Sequence, residues 1–115
     1  MAKETRNTDI GEALEALYTV LMQRIEAMDD ASYVALLCRK GEDSILKKVG
    51  EEASELIIAS KGGEHEKTVY EMVDLWFHCM VLMAHKGITF DEMAAEFRRR
   101  MGTSGLEEKA SRKEK

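Results

Sequence analysis

At 115 residues, with no proline and an abundance of helix-forming side chains, the chain has the length and composition of a single all-α domain. Its net charge of −5 argues against a general nucleic-acid-binding protein, which would usually carry a basic surplus. The start of the chain is polar, no apolar run is long enough for a membrane span, and two cysteines suggest no disulfide framework, so we expect a cytoplasmic protein.

Apolar residues at helical spacing predict a bundle of five helices, with Asp9, Ser32 and Thr89 as N-caps. The predicted ranges are 9–28, 32–41, 42–60, 65–85 and 89–101. Only a short glycine turn separates the third helix from the fourth, so these two should pack antiparallel. The segment 102–105 breaks the last helix, which predicts a domain over 1–105 followed by a charged C-terminal tail over 106–115.

The fourth predicted helix is apolar almost all the way round. At about 100° per residue, one narrow strip remains, and it carries Glu71, Asp74, His78 and His85. A helix that is hydrophobic on nearly every side is normally buried. Carboxylates in such a place cost several kcal/mol unless a cation or a hydrogen-bond network compensates them. A metal ion is the simplest compensation.

The third predicted helix carries a second pair of acids, Glu52 and Glu55, which are neighbours on one helix face. The antiparallel turn can place them opposite Glu71 and Asp74. Four converging carboxylates would repel one another, and hard divalent cations such as Mg²⁺, with Mn²⁺ as a substitute, prefer oxygen ligands of this kind. We therefore predict that these four residues bind metal in the central helix pair.

The same residue patterns also have plainer interpretations. Lysines four residues before Glu51 and Glu52 are typical of an ordinary solvent-facing helix surface. His78 is interpreted first as a histidine satisfied at the edge of the core, and second as a residue that orients a carboxylate or touches substrate. Neither central helix has a Glu-x-x-His motif, which counts against a ferritin-like di-iron bundle, and the sequence shows no zinc-ligand spacing and no phosphate-binding P-loop.

Segments 45–55 and 70–78 resemble the phosphoribosyl-ATP pyrophosphatase family, one of the MazG-like all-α nucleoside triphosphate pyrophosphatases. The superfamily pattern is Glu-Glu-x-x-Glu on one helix and Glu-x-x-Asp on the next. It falls here on Glu51, Glu52, Glu55, Glu71 and Asp74. Further similar stretches at 32–41, 47–50 and 104–112 narrow the resemblance to the histidine-pathway enzyme in its stand-alone form, and the similarity covers nearly the whole chain.

The resemblance implies a Mg²⁺-dependent hydrolase that converts phosphoribosyl-ATP to phosphoribosyl-AMP and pyrophosphate, the second step of histidine biosynthesis. Metal at the four acidic positions would neutralise the phosphates and the leaving group, and Glu51, Glu52 or Glu55 would take the proton of the attacking water. Basic residues should hold the remaining phosphates of this small nucleotide substrate. The candidates are Arg39, Lys40, Lys47, Lys48, Lys109 and Arg112.

The fourth helix has more apolar surface than one small bundle can cover, so we expect a homodimer that completes the core, as the resemblance also implies. The tail at 106–115 is predicted to order over the substrate or over a neighbouring subunit. Two alternatives stay open. One is a related pyrophosphatase that clears non-standard nucleoside triphosphates, and the other is a non-catalytic helical interaction module.

Overall fold

The computed structural model describes residues 9–102, together with 105, 109, 110 and 112. Five helices form in chain order: α1 (Ile10–Ala27), α2 (Tyr33–Lys40), α3 (Glu42–Lys61), α4 (His65–Lys86) and α5 (Phe90–Met101). The described residues contain no strand, which confirms the all-α fold. Each helix end lies within a residue or two of its predicted position.

The helix starts are set by the capping side chains that the sequence indicated. The Asp9 carboxylate accepts a hydrogen bond from the Glu12 amide at 2.9 Å, and the Ser32 hydroxyl accepts one from the Ala35 amide at 3.1 Å. A complete capping box, in which side chain and backbone bond reciprocally between Thr89 and Glu92, begins α5. These local bonds satisfy amides that the first turn of a helix leaves without a partner.

The hydrophobic core lies at one end of the bundle. Leu21 of α1, Ile45 of α3 and Val81 of α4 are almost completely buried there, with Val34 and Leu37 of α2 packed around them. Gly41 alone joins α2 to α3, with φ at +109°, a backbone conformation that favours glycine. The core therefore takes the first half of α3 and the second half of α4, and leaves the other halves outside it.

The helices α3 and α4 form the predicted antiparallel pair. The Lys86 ammonium at the end of α4 lies 3.1 Å from the Glu42 carboxylate at the start of α3, while a turn containing Gly63 joins the opposite ends. This arrangement brings the middle of α3 against the first half of α4. The two acidic segments of the sequence consequently face each other.

The last helix, α5, is only lightly attached to the rest of the bundle. Phe90 and Met93 pack partly against the core, but no residue of α5 is buried, and Phe97 is 60% exposed. An apolar groove of about 400 Å³ lies between α1, α4 and α5. Among the described residues, no helix combines the length and apolar character that crossing a membrane requires.

Candidate metal centre between α3 and α4

The acidic strip of α4 faces α3, and the apolar side of α4 faces outward. Glu71 and His78 are only 7% and 4% exposed, whereas Tyr70 and Val73 are 68% and 60% exposed. At about 100° per residue, Val73 lies almost opposite Glu71 and His78, and Tyr70 lies about a quarter of a turn from them. The first half of α4 thus buries charge and exposes hydrophobic surface, the reverse of an ordinary amphipathic helix.

The acids of α3 differ in burial as the rotation around the helix predicts. Glu52 is 8% exposed and points between the helices, whereas Glu51 and Glu55 are exposed. Asp74 of α4 is partly buried. The site is therefore a narrow acidic cleft with Glu52 and Glu71 inside it and with Glu55 and Glu51 toward its open side.

The electrostatics of Glu71 show that the two helices bring their carboxylates close together. Burial raises the pKa of Glu71 above its usual value, and the charges of Glu52, Glu55 and Asp74 raise it further. Lys67 opposes these effects only in part. Because several negative charges surround one buried carboxyl group, the cleft favours the binding of a cation.

One basic residue already lies in the cleft. The Lys48 ammonium is 3.4 Å from the Glu52 carboxylate and 3.6 Å from that of Glu51. Burial lowers the pKa of Lys48, but its bond to Glu52 and the charges of Tyr33, Glu52 and Glu51 together raise it. Lys48 therefore stays protonated. Its one positive charge offsets only one of the several negative charges in the cleft.

His78 is bonded on both sides of its ring. Its Nδ1 lies 2.8 Å from the Asp74 carbonyl oxygen and 3.4 Å from the Asp74 carboxylate, and its Nε2 lies 2.8 Å from the Tyr33 hydroxyl. Ligand atoms of Glu52, Asp74 and His78 lie within 4.8 Å of one another, close enough for one ion to reach all three. The interpretation of His78 as a satisfied histidine agrees with these contacts.

The donor atoms of the cleft fit a hard divalent cation. Carboxylate oxygens dominate it, and Lys48 pairs with Glu52 on the α3 side while Glu71 is buried on the α4 side. Of the four predicted ligands, Glu52 and Asp74 belong to one group with His78 whose ligand atoms lie within 4.8 Å of one another. Glu71 lies beside them, and Glu55 acts on Glu71 from the open side.

The other predicted phosphate-binding residues lie at the surface. The Arg39 guanidinium lies 3.4 Å from the Asp30 carboxylate, and Lys40 and Lys47 are exposed on α2 and α3. In the tail, Lys109 and Arg112 are exposed, and most of 106–115 falls outside the described residues, so the ordering of the tail stays a prediction. Within the part of the chain that the structure describes, Lys48 is the member of this group that contacts the acidic cleft.

Sequence reasoning did not place Tyr33 in the site. Its neighbours in the chain show only that it begins α2, after the Ser32 cap. The contact with His78 joins residues that are 45 positions apart, and it depends on how α2 packs against α4. The one indication of Tyr33 in the sequence was the segment that begins at 32–33, which was used only as part of the family resemblance.

Comparison with known proteins assigns the family. Residues 14–101 match the model of the family described as phosphoribosyl-ATP pyrophosphohydrolase. The chain is 56% identical over 102 residues to the phosphoribosyl-ATP pyrophosphatase of Methylococcus capsulatus, an alignment that spans 89% of the chain and 97% of that protein. The enzymes of the same name from Geobacter metallireducens and Geobacter sulfurreducens are 54% and 53% identical, over 88% and 90% of the chain and 93% and 95% of their own lengths. With both halves of the acidic pattern inside the matched region, the chain belongs to the phosphoribosyl-ATP pyrophosphohydrolase family.

Proposed function

We propose that this protein hydrolyses the α–β phosphoanhydride of phosphoribosyl-ATP, releasing phosphoribosyl-AMP and pyrophosphate in the second step of histidine biosynthesis. The observation that carries the proposal is the burial of Glu52 and Glu71 in one cleft with Asp74 beside them. A protein without a cationic ligand gains nothing from burying these charges. The names of the relatives supply the substrate, which the geometry of the cleft does not.

Divalent metal chemistry fits the carboxylates of the cleft. Glu52, Glu55, Glu71 and Asp74 would hold Mg²⁺, with Mn²⁺ as a substitute. When bound, the ion would offset the charge of the phosphates and of the pyrophosphate leaving group. Of these carboxylates, Glu52 is buried and pairs with Lys48, whereas Glu55 is exposed at the open side of the cleft, as is the neighbouring Glu51.

A water that attacks the phosphoanhydride must lose a proton to a base within hydrogen-bond reach. Glu51, Glu52 and Glu55 are the candidates, because all three project from α3 toward the cleft or its open side. Lys48 sits among them, where its ammonium can bind a phosphate oxygen. We expect Arg39, Lys40, Lys47, Lys109 and Arg112 to bind the more distant phosphates of the substrate.

The assembly that we propose is a homodimer. The outer side of the first half of α4 and the end of α3 form an apolar face, consisting of Ile57, Ile58, Val69, Tyr70, Met72, Val73 and Trp76, and each of these residues is more than two-fifths exposed. Exposed apolar surface of this extent commonly marks a protein interface. A second copy would cover this face and leave the acidic cleft on the opposite side of α4 open to substrate.

We also propose that the protein works in the cytoplasm. Both cysteines are free thiols, Cys38 partly buried and Cys79 exposed. Free thiols of this kind persist in a reducing compartment.

The deciding experiment measures release of pyrophosphate from phosphoribosyl-ATP, ATP and deoxynucleoside triphosphates, with Mg²⁺ and with a chelator. We expect Mg²⁺-dependent turnover that strongly prefers phosphoribosyl-ATP. Asp74→Asn and Glu52→Gln should each lower kcat by at least about 100-fold, because each removes charge at the site of phosphate binding. Circular dichroism should show that both variants remain helical.

Three results would contradict the proposal. Equal turnover of all three substrates would favour the related enzyme that clears non-standard nucleoside triphosphates. No turnover of any substrate, together with full tolerance of Asp74→Asn, would favour the interaction module. Full activity in the presence of the chelator would remove the metal from the mechanism.

A further inference from the structure

The acidic cleft contains one tyrosine–histidine pair whose hydrogen bonds determine where each proton lies. The Nδ1 of His78 is 2.8 Å from the carbonyl oxygen of Asp74 and 3.4 Å from its carboxylate. Both of these oxygens only accept hydrogen bonds, so Nδ1 carries a proton. In the tautomer with its proton on Nδ1, Nε2 is the acceptor of the ring, and the Tyr33 hydroxyl, 2.8 Å away, donates to it.

This arrangement leaves the Tyr33 oxygen with lone pairs alone. The Tyr33 side chain is 47% exposed at the mouth of the cleft, so other molecules can reach it. Its ring packs edge-on against the His78 ring, with centroids 5.8 Å apart, which holds the hydroxyl in place. A phosphate oxygen is itself an acceptor at neutral pH and makes a poor partner for this atom. A group that donates through O–H makes a good one.

We propose that Tyr33 accepts a hydrogen bond from an O–H group bound at the cleft, either a ribose hydroxyl of the nucleotide or a water molecule, and that His78 is the positioning residue that holds Tyr33 for this contact. The inference deepens the proposed function and rests on it. Burial of the Tyr33 hydroxyl and the nearby carboxylates of Asp74, Glu52 and Glu51 outweigh the effect of Lys48 and raise the pKa of Tyr33. Tyr33 therefore remains a neutral phenol that can donate to His78.

The same hydrogen bonds separate His78 from the metal ligands, although it lies close to Glu52 and Asp74. Coordination through Nδ1 would require loss of its proton and of both contacts with Asp74. Coordination through Nε2 would displace the Tyr33 hydroxyl. Because both nitrogens are already used, His78 acts through its neighbours: it links α2 to α4 and aims the tyrosine.

The first test compares Tyr33→Phe with Tyr18→Phe. Tyr18 is a matched control, because its hydroxyl also makes one 2.8 Å bond, to the Ile88 carbonyl, at the junction with α5. We expect Tyr33→Phe to lower kcat/KM for phosphoribosyl-ATP by about 3- to 10-fold, the size of one neutral hydrogen bond, and Tyr18→Phe to leave it unchanged. A rise in KM would identify a ribose hydroxyl as the donor, and a fall in kcat at constant KM would identify a water.

The second test adds His78→Asn, alone and together with Tyr33→Phe. The asparagine amide can still donate to the Asp74 carbonyl, but the shorter side chain places no acceptor at the position of His78 Nε2, so the Tyr33 hydroxyl loses its partner. If the two residues act as a unit, the double variant should lose no more activity than the more impaired single variant. Losses that multiply would show two independent roles and would overturn the positioning of Tyr33 by His78.

Two readouts without substrate complete the test. Mn²⁺ titration should give His78→Asn an affinity near that of the wild type, whereas Asp74→Asn should weaken binding by at least about 10-fold. Nitrogen-15 spectra should show His78, one of only three histidines, with its proton on Nδ1 before and after Mg²⁺ is added. A proton on Nε2, or a loss of Mn²⁺ affinity in His78→Asn equal to that in Asp74→Asn, would overturn the proposal.

The failure of this inference is distinguishable from a failure of the proposed function. A wild-type protein that releases no pyrophosphate from phosphoribosyl-ATP would remove the function. An active wild type whose Tyr33→Phe variant is equally active would remove only the contact assigned to Tyr33.

Discussion

Glu71 is buried and is surrounded by other carboxylates, and this combination strongly constrains which ligands the cleft can bind. Its side chain is almost completely buried, and Glu52 and Glu55 of the facing helix add negative charge around it. Lys48 interacts with Glu52 and Glu51 on the other side of the cleft. Without a divalent cation, the charge of Glu71 therefore opposes folding.

The pH dependence of stability should reveal this opposition. The raised pKa of Glu71 means that the folded state holds the proton more tightly than the unfolded state, whose value is near 4.5. Stability from this group is present below pH 4.5 and is lost as the pH rises through the folded pKa. In a chelator at pH 7, Glu71→Gln should therefore have a higher free energy of unfolding than the wild type, and the difference should shrink at pH 4.

Urea denaturation at both pH values measures this difference. Glu15→Gln, on the exposed surface of α1, is the matched control and should change little. Mg²⁺ should stabilise the wild type more than Glu71→Gln, because binding to the folded state alone adds to its stability. A Glu71→Gln variant that is less stable than the wild type at pH 7 without metal would contradict the account of the cleft.

Lys48 and Lys47 are adjacent in the chain, but only Lys48 contacts the cleft. We expect Lys48→Gln to raise the KM for phosphoribosyl-ATP by about tenfold, the effect of losing a hydrogen bond from a charged donor. Lys61→Gln removes the same charge at an exposed position at the end of α3, outside the predicted phosphate-binding residues, and should change KM much less. Steady-state kinetics of the two variants at one ionic strength will separate local contact from net charge.

The fifth helix, α5, differs from the other helices because its N-terminal cap and its own ion pairs stabilise it more than packing against the core does. Glu96 bonds to Arg99 and Arg100 within α5, and these bonds lower the pKa of Glu96 to about 2. The helix begins at the Thr89 capping box. Its stability therefore depends strongly on local interactions.

Removal of the cap should loosen α5 selectively. Thr89→Ala should weaken the helix by about 1 kcal/mol, which corresponds to roughly fivefold faster exchange of its amide hydrogens. Thr19→Ala is the control, since the Thr19 hydroxyl donates to the Glu15 carbonyl inside α1, where alanine is a better helix former. Equal exchange of the α5 amides in Thr89→Ala and the wild type would show that packing, not the cap, holds the helix.

The whole molecule is more extended than a compact domain of its length. Its radius of gyration is 16.9 Å, against about 13 Å for a compact chain of this size. The paired halves of α3 and α4 lie outside the core and carry the apolar face described above. A second copy packed on that face would bury what one chain leaves open.

A charge placed in the apolar face should disrupt the dimer. We expect Val73→Glu to shift the protein from dimer to monomer in sedimentation equilibrium, because a carboxylate at an interface has no compensating partner. Gln23→Glu adds the same charge on the exposed polar surface of α1 and should leave the dimer intact. A wild type that sediments as a monomer at micromolar concentration would remove the homodimer from the proposal.

Much of the local structure was predictable from neighbouring residues in the chain. The caps at Asp9, Ser32 and Thr89 act within three residues, so their positions determine where α1, α2 and α5 begin. The acidic strip of α4 was predictable for a similar reason, because helical rotation is regular and leaves Glu71 and Asp74 on one side. Family resemblance then supplied the substrate.

The tertiary structure decided which side of each helix is covered. Periodicity showed that α4 is apolar on most sides, but packing against α3 determined that Glu71 is buried while Val73 is exposed. The Tyr33–His78 bond was equally beyond the sequence, since it depends on the placement of α2. The chain by itself determined its helices and the strip of charge between them, because those follow from local periodicity. The burial of those charged side chains and the hydrogen bonds around them follow from contacts between distant segments, which only the folded arrangement creates.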